Sequence, residues 1–179
     1  MALTELPFGL PGRVFRSPIP FGRNDPEGKI FSDYLVNHVE VVVIMVEDDE
    51  SLRRTGRDLS RFYQDNGLQV IHLPTPDFSV PKKDALEIAL EEAEDCLRHG
   101  RNIVVHCNAG IGRTGVFLAC LAKRVLGFSG QEAILWVRQF IPNAVEMERQ
   151  EQMVLEYQPD REEKTPNAAN IARNVDNLG

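Results

Sequence analysis

The sequence lacks long hydrophobic runs and lacks an excess of positive charge, and both absences exclude classes of protein. The longest apolar runs, Val41–Val46 and Val116–Ala122, are much shorter than the roughly 18 to 20 residues that cross a bilayer. No segment is therefore expected to insert into a membrane. The 20 Lys and Arg residues are outnumbered by 27 Asp and Glu residues, and the net charge is −7. Nucleic acids and acidic membrane surfaces are therefore not expected partners, because both are captured by concentrated positive charge.

Cysteine is also scarce. Cys96, Cys107 and Cys120 are odd in number and lack the CxxC spacing of metal ligands, which argues against a disulfide framework and against a cysteine zinc site. At least one free thiol is expected. No Lys or Arg precedes the first apolar stretch, and Pro and Gly residues interrupt the segment after it. The sequence therefore predicts no secretory leader and a cytoplasmic protein.

Length and composition predict one folded domain with a short appendage. The chain has 179 residues, of which 42% are hydrophobic and 26% are charged, and these are ordinary globular values. After Pro159 the sequence consists mainly of Asn, Ala and charged residues. We therefore expect a domain over residues 1–158 and a flexible C-terminal tail over residues 159–179.

The hydrophobic pattern predicts strands that alternate with helices. Proline-rich residues 74–81 are predicted to form an exposed loop, and the acidic run at residues 47–50 is interpreted as a solvated turn. The alternation predicts an α/β fold with a central, mostly parallel sheet flanked by helices on both faces. The predicted strands are 13–19, 39–46, 68–73 and 102–106. One helix is predicted from the helical spacing of Leu52, Leu59, Phe62 and Tyr63, and the first three of these residues are expected to form its core stripe. Further helices are predicted over 82–99, 114–126, 130–140 and 147–157.

Residues 106–115 carry the strongest chemical signal, and they read His-Cys-Asn-Ala-Gly-Ile-Gly-Arg-Thr-Gly between a predicted strand and a predicted helix. Backbone N–H groups of a small-residue loop converge on a phosphate, a helix N-terminus adds positive potential, and Arg113 supplies paired donors. The same surroundings favour the thiolate of Cys107. The segment therefore predicts a nucleophilic cysteine within a phosphate-binding cradle, made by the amides of Asn108, Ala109, Gly110, Ile111 and Gly112.

Attack of a thiolate on phosphorus also needs an acid for the departing oxygen. Asp77 is the carboxylate of the loop at residues 74–81, and this loop leaves the same edge of the predicted sheet as the cysteine loop. Ligands bind at that edge of open α/β sheets. We therefore predict that Asp77 is a general acid that returns as a base in the second step. The Thr114 hydroxyl is predicted to hydrogen-bond the sulfur and ease its departure.

These residues resemble a known family. Residues 106–115 resemble the signature loop of cysteine-dependent protein tyrosine phosphatases at each fixed position. Pro74-Thr75-Pro76-Asp77 is similar to the general-acid loop of their compact dual-specificity branch, and residues 141–150 resemble the segment that closes the site. The resemblance extends over about residues 13–158. It implies a protein tyrosine phosphatase-like fold, a cysteinyl-phosphate intermediate, and neither a metal nor another cofactor.

The resemblance also implies roles for single residues. Cys107 would be the nucleophile, Asp77 the general acid, and Arg113 the clamp on the phosphate and on the transition state. Gln150 matches one of two glutamines that place the hydrolytic water in many tyrosine-specific members. Glu146 stands at the position of the other glutamine, and its role is left open.

For one histidine, two cysteines and three arginines, a supporting or surface role is the first interpretation. His106 is expected to support the loop through a buried hydrogen bond, and Cys96 and Cys120 to pack on apolar helix faces. A disulfide between one of these cysteines and Cys107 under oxidation is a weaker hypothesis. The arginines of the N-terminal segment are interpreted as solvated charges, with the steering of an anionic substrate as the alternative; they are Arg13, Arg16 and Arg23.

The sequence thus predicts a metal-independent phosphomonoester hydrolase that acts as a monomer on a phosphorylated protein or peptide. Phosphotyrosine is the expected substrate, and dual specificity is left open. A phosphoinositide or phosphorylated-sugar phosphatase is an alternative with the same chemistry, which the absence of Lys from residues 108–112 disfavours. A second alternative is a phosphate-binding module without catalysis, disfavoured because Cys107, Arg113 and Asp77 occur together.

Overall fold

The computed structural model describes residues 3–159, which form an α/β fold as expected. Of the predicted flexible tail, all but the first residue lies outside the described residues. No helix within residues 3–159 combines the length and the apolar character needed to cross a bilayer. In chain order the elements are β1 (Thr4–Leu6), β2 (Val14–Ser17), α1 (Lys29–Val36), β3 (Val39–Ile44), α2 (Asp48–Thr55), α3 (Leu59–Asp65), β4 (Gln69–His72), α4 (Lys83–Arg98), β5 (Asn102–His106), α5 (Gly112–Leu126), α6 (Gly130–Phe140) and α7 (Glu148–Glu156).

The central sheet has the strand order β1-β2-β5-β3-β4. All neighbouring strands run parallel except β1, which pairs antiparallel with β2 at the edge. Residues 41–44 of β3 and 103–106 of β5 are buried, because these inner strands are covered on both faces. The mostly parallel sheet predicted from the sequence is confirmed.

The order of the strands decides which face each helix covers. The connections from β2 to β3 and from β3 to β4 advance in one direction across the sheet, whereas the connection from β4 to β5 returns. Right-handed crossovers in opposite directions place their helices on opposite faces. The helices α1, α2 and α3 therefore cover one face and α4 covers the other, where α5 packs against α4, α6 and α7.

Three features of the N-terminal half differ from the prediction. The strand β1 and the helix α1 were not predicted, because each is short and lies in the segment rich in Pro and Gly. The predicted helix through Leu52 and Leu59 is two helices, since Gly56 ends α2 with a φ of 70° and Asp58 caps α3 by accepting a hydrogen bond from the Arg61 N–H. Leu52 is consequently exposed rather than part of the core.

The C-terminal helices are held by identifiable caps. A capping box of Ser129 and Glu132 begins α6, as the sequence predicts. Lys123 of α5 is buried, and its Nζ donates hydrogen bonds to carbonyl oxygens at the C-terminal end of α7: Val154 at 2.8 Å, Leu155 at 3.3 Å, and Tyr157. The lysine thus satisfies carbonyl groups that a helix end leaves without partners.

Candidate active site

Three loops meet at the carboxyl edge of the sheet. They follow β3, β4 and β5, which are parallel neighbours; the first leads into α2 at Asp48, and the other two contain residues 74–81 and 107–112 respectively. Residues 74–81 form no helix or strand, as predicted. The topology therefore brings the cysteine loop and the loop of Asp77 together, at the edge where open α/β sheets bind ligands.

Cys107 lies at the centre of the cysteine loop. Its Sγ accepts a hydrogen bond of 3.2 Å from the N–H of Gly110, and α5 begins at Gly112. Gly110 has a φ of 73°, and a Cβ on it would lie 2.3 Å from the carbonyl oxygen of Ser17. Only glycine fits this position without displacing β2. The carbonyl of Asn108 accepts a hydrogen bond of 2.9 Å from the Ile19 N–H, which ties the loop to the segment after β2.

Arg113 is buried beside the loop and is held by two groups distant in sequence. Its guanidinium donates to the Glu50 carboxylate at 2.7 and 3.0 Å and to the Thr75 carbonyl at 2.8 Å. Burial opposes the charge on Arg113, but the hydrogen bonds that its guanidinium donates to Glu50 and the charges of Cys107, Glu50 and Asp77 raise its pKa above the ordinary value. The guanidinium is therefore oriented and permanently charged.

Glu50 corrects one interpretation of the sequence. The acidic run at residues 47–50 was expected to be solvated, yet the Glu50 side chain is only 6% exposed and pairs with Arg113. A buried guanidinium needs a compensating charge, and Glu50 supplies it. Sequence reasoning missed this residue. The available signal was its place just after the strand at 39–46, at the same edge as Cys107.

Asp77 contacts the same guanidinium, at a nitrogen that also donates to Glu50. Its Oδ1 lies 3.0 Å from Nη2 of Arg113, and its side chain is 40% exposed. The next residue, Phe78, is exposed and has a φ of 55°, a conformation that costs energy for an aromatic residue. The carboxylate thus remains partly open to solvent while it contacts the arginine that follows the cysteine loop.

The structure places Thr114 and His106 beneath the loop. The hydroxyl of Thr114 is buried and has no hydrogen-bond partner among residues 3–159, so the predicted bond to the sulfur is not formed. His106 is buried, and its Nε2 lies 3.1 Å from the Tyr63 hydroxyl while its Nδ1 lies 3.2 Å from the Cys107 carbonyl oxygen. Burial lowers the pKa of His106 to about 4, so its imidazole is neutral at neutral pH.

Gln150 joins the closing segment to the loop of Asp77. Its side chain is buried, and its Oε1 accepts hydrogen bonds from the backbone N–H groups of Glu146 at 3.0 Å and Met147 at 3.3 Å. Its Nε2 donates to the carbonyl of Ser79 at 3.0 Å. Gln150 therefore ties two segments that border the cysteine loop.

The carboxylate of Glu146 lies against the cysteine loop. A Cβ placed on Gly112 would be 2.4 Å from Glu146 Oε2. Arg138 of α6 holds the preceding segment, because its guanidinium donates to the carbonyls of Ala144 at 2.9 Å and Val145 at 3.1 Å. The side chain of Glu146 thus adds a negative charge at the rim of the site.

The other two cysteines lie away from Cys107. Cys96 contacts Arg101, just before β5, whereas Cys107 follows the other end of that strand, so about 20 Å of extended chain separates Arg101 from Cys107. Cys120 is buried in α5, about 12 Å along the helix from Gly112. Neither geometry permits a disulfide with Cys107 without large movement of the backbone.

The arginines of the N-terminal segment differ from one another. Arg13 pairs with Glu5 at 2.6 Å, and Arg23 is exposed. Arg16 is partly buried, and its Nε has no hydrogen-bond partner among the described residues. Within residues 3–159, no group of three or more His, Cys, Asp or Glu side chains is arranged to hold a metal ion.

The sheet order together with the cysteine loop defines a phosphatase of the protein tyrosine and dual-specificity superfamily. A family model described as "Polymorphic toxin system, DSP-PTPase phosphatase" matches residues 25–125, and the chain belongs to this family. Among solved structures, the active form of Tk-PTP is 31% identical with a TM-score of 0.68, and the match covers 81% of this chain and 92% of that one. The family suggested by residues 74–77 and 106–115 is thereby confirmed.

Other relatives are similar over shorter shares of their length. The tyrosine-protein phosphatase CDC14 of Candida albicans is 28% identical over 69% of this chain and 21% of the relative. CDC14 of Saccharomyces cerevisiae is 27% identical over 79% of this chain and 24% of the relative. The chain thus spans about a fifth to a quarter of these curated relatives. Kinase associated phosphatase has a TM-score of 0.77 at 19% identity, covering 85% of this chain and 90% of that one, and shares the fold.

Proposed function

We propose that this chain hydrolyses phosphomonoesters of proteins or peptides through a cysteinyl-phosphate intermediate, with phosphotyrosine as the main substrate. The observation that carries the proposal is the 3.0 Å contact between Asp77 and Arg113, which joins an acid to the loop of Cys107. No metal takes part in this reaction. The proposed domain is the folded region up to residue 158, and it acts as a monomer.

In the first step, the Cys107 thiolate attacks phosphorus. The Gly110 N–H and the N-terminus of α5 favour the negative charge on the sulfur. Arg113 binds phosphate oxygens and the amides of residues 108–112 surround them. The S–P bond forms while the bond from phosphorus to the leaving oxygen breaks. The proton of the Asp77 carboxyl group passes to that oxygen.

In the second step, water attacks the cysteinyl phosphate. Asp77 takes a proton from this water, the S–P bond breaks, and inorganic phosphate and the thiolate are released. Thr114 is assigned to the departing sulfur, because its buried hydroxyl is free of other partners among residues 3–159 and a buried hydroxyl normally has one. His106 and Gln150 support the loops and do not transfer protons.

Two substitutions test the proposed reaction with 4-nitrophenyl phosphate and phenyl phosphate. Cys107→Ser abolishes turnover but keeps the binding of phosphate esters, and full activity in this variant would overturn the proposal. Asp77→Ala lowers the rate on phenyl phosphate about 10²- to 10⁴-fold, because phenoxide leaves poorly without a proton. The loss on 4-nitrophenyl phosphate is much smaller. Equal losses on the two esters would assign the general acid elsewhere.

The substrate class requires a separate measurement. The measurement compares kcat/KM on peptides that contain phosphotyrosine, phosphoserine or phosphothreonine with kcat/KM on a soluble phosphoinositide. The order of these values decides between a protein phosphatase and a small-molecule phosphatase. The proposal expects the phosphotyrosine peptide to be the best substrate. A phosphoinositide preferred over every peptide would replace it with the small-molecule alternative.

A further inference from the structure

Arg16 occupies the strand next to that of the nucleophile. It lies on β2 opposite Val105 of the parallel strand β5, and Cys107 follows the end of β5. Successive residues of a strand point to opposite faces. Ser17 is hydrogen-bonded to Tyr34 of α1. His106, which pairs with Ser17 in the register, is hydrogen-bonded to Tyr63 of α3. Arg16 therefore points to the other face of the sheet, the face that α5 covers. The phosphate-binding loop leads into the first turn of α5.

The guanidinium of Arg16 is partly enclosed without a compensating carboxylate among residues 3–159. Its Nε is buried and donates no hydrogen bond there. Burial lowers the pKa of Arg16, and the negative charge of Cys107 acts in the opposite direction. Removing a cation from water is costly unless an anion compensates it. Arg16 therefore carries a partly desolvated charge on the strand next to β5, which leads to Cys107.

Other shielded arginines of the chain have carboxylate partners. Arg124, whose side chain is 13% exposed, lies within salt-bridge distance of Glu87, Glu91 and Glu94. Arg113 has Glu50 and Asp77. Arg16 departs from this pattern, and a desolvated charge without a partner beside a reactive group is typical of a binding site.

Three carboxylates surround the phosphate-binding loop and Arg113, so a further cation would help to bind an anionic substrate there. Arg113 shares its positive charge with Glu50 and Asp77. Glu146 adds a further negative charge at Gly112. A substrate with two anionic groups therefore needs positive charge beyond Arg113, and the guanidinium of Arg16 is not committed to a carboxylate of the described residues.

We propose that Arg16 binds a second anionic group of the substrate, a phosphate or carboxylate adjacent to the phosphate that reacts at Cys107. The contact is a charge-assisted hydrogen bond from the guanidinium, and no covalent bond changes there. The inference rests on the proposed function, which puts the reacting phosphate at Cys107. It deepens that function by selecting substrates with two neighbouring anionic groups over isolated monophosphates.

Calorimetric binding tests Arg16 without turnover. The dissociation constants of inorganic phosphate and pyrophosphate are measured in Cys107→Ser, and again with Arg16→Gln or Arg16→Lys added. We expect Arg16→Gln to reduce the preference for pyrophosphate about ten- to a hundredfold, the value of one hydrogen bond to a charged group. Arg16→Lys retains part of the preference because the charge remains. Arg23→Gln, at an exposed site, is the matched control and keeps the preference.

Kinetic comparisons identify the source of the second anion. One arm compares a phosphotyrosine peptide with a neighbouring phosphoserine to the same peptide with alanine there. The other arm compares a soluble inositol bisphosphate with a monophosphate. In each arm the ratio is kcat/KM for the substrate with two anionic groups over kcat/KM for the substrate with one. A ratio that falls with Arg16→Gln supports the proposal and identifies the source of the second anion, whereas a fall in the pyrophosphate preference supports the proposal without identifying the source. If all three ratios are unchanged in a variant whose urea midpoint shows it folded, the proposal is overturned.

Failure of this inference is distinguishable from failure of the proposed function. Wild-type protein that does not hydrolyse 4-nitrophenyl phosphate would contradict the proposed function. The pyrophosphate preference in Cys107→Ser would still report on Arg16, because that measurement needs no catalysis.

Discussion

The carboxylate of Glu50 accepts two hydrogen bonds from the guanidinium of Arg113, at 2.7 and 3.0 Å, and both side chains are almost fully buried. The pair connects the first turn of α2 to the first turn of α5. Since Arg113 also donates to the Thr75 carbonyl, its guanidinium is fixed in plane and position before any phosphate binds. Glu50 is therefore a positioning residue for the phosphate clamp.

Replacing Glu50 with glutamine should weaken the clamp. Glu50→Gln removes the charge but keeps the shape, so Arg113 loses one acceptor and its compensating anion. We expect kcat/KM on 4-nitrophenyl phosphate to fall about 10- to 100-fold, since hydrogen bonds to charged groups contribute about 1.5–3 kcal/mol. The inhibition constant of inorganic phosphate should rise in parallel, a change that a general loss of stability does not cause.

The control for this substitution is Asp49→Asn. Asp49 is the exposed neighbour in the first turn of α2; it pairs with Arg53 at the surface, and its Oδ1 accepts a hydrogen bond of 2.9 Å from the Glu50 N–H, which asparagine can also accept. Its replacement should leave both constants as in the wild type, because surface ion pairs contribute little. An unchanged phosphate inhibition constant in folded Glu50→Gln would contradict the positioning role.

Apart from Asp77, whose place follows from the shared carboxyl edge of parallel strands, the parts of the site that could be predicted are those made by residues close in sequence. The cysteine loop, its strand and its helix were predicted because loop composition and hydrophobic period are local signals. The contacts that complete the site join distant residues: Arg113 with Glu50 spans 63 positions, and His106 with Tyr63 spans 43. These contacts depend on β5 lying beside β3, and the hydrophobic pattern does not encode that order of strands.

The loop of Asp77 should depend on Gln150 for its position. In Gln150→Met the hydrogen bond to the Ser79 carbonyl is lost while the buried volume is nearly kept. A loosened loop delivers its proton less well, so the rate on phenyl phosphate should fall about tenfold more than the rate on 4-nitrophenyl phosphate. Gln152→Met, an exposed change on the same helix, should affect neither rate. Equal losses on the two esters in Gln150→Met would show that the residue does not act through the acid.

Lys123 should contribute to stability through the end of α7. Lys123→Met keeps the apolar stem but leaves the carbonyls of residues 154, 155 and 157 without their common donor. The expected loss in the free energy of unfolding is about 2–3 kcal/mol, measured by urea denaturation at pH 7. Lys83→Met, at an exposed ion pair with Glu156, should cost less than about 1 kcal/mol. Similar losses for the two lysines would remove the assigned role.

The burial of His106 should make the fold sensitive to mild acid. Burial lowers the pKa of His106 to about 4 in the folded chain, against about 6.5 in the unfolded chain. Between these values protons bind the unfolded chain preferentially, so stability falls as the pH decreases below about 6.5. Linkage gives a loss of about 2 kcal/mol between pH 7 and pH 5 from this residue.

His106→Asn should remove that part of the pH dependence. The variant is expected to be less stable at pH 7, because the bond to the Tyr63 hydroxyl changes, but to lose about 2 kcal/mol less than the wild type on going to pH 5. His99→Asn, at an exposed histidine, should keep the wild-type dependence. Urea denaturation at the two pH values measures both slopes. If His106→Asn and the wild type lose the same free energy between pH 7 and pH 5, the imidazole is not held neutral by its surroundings.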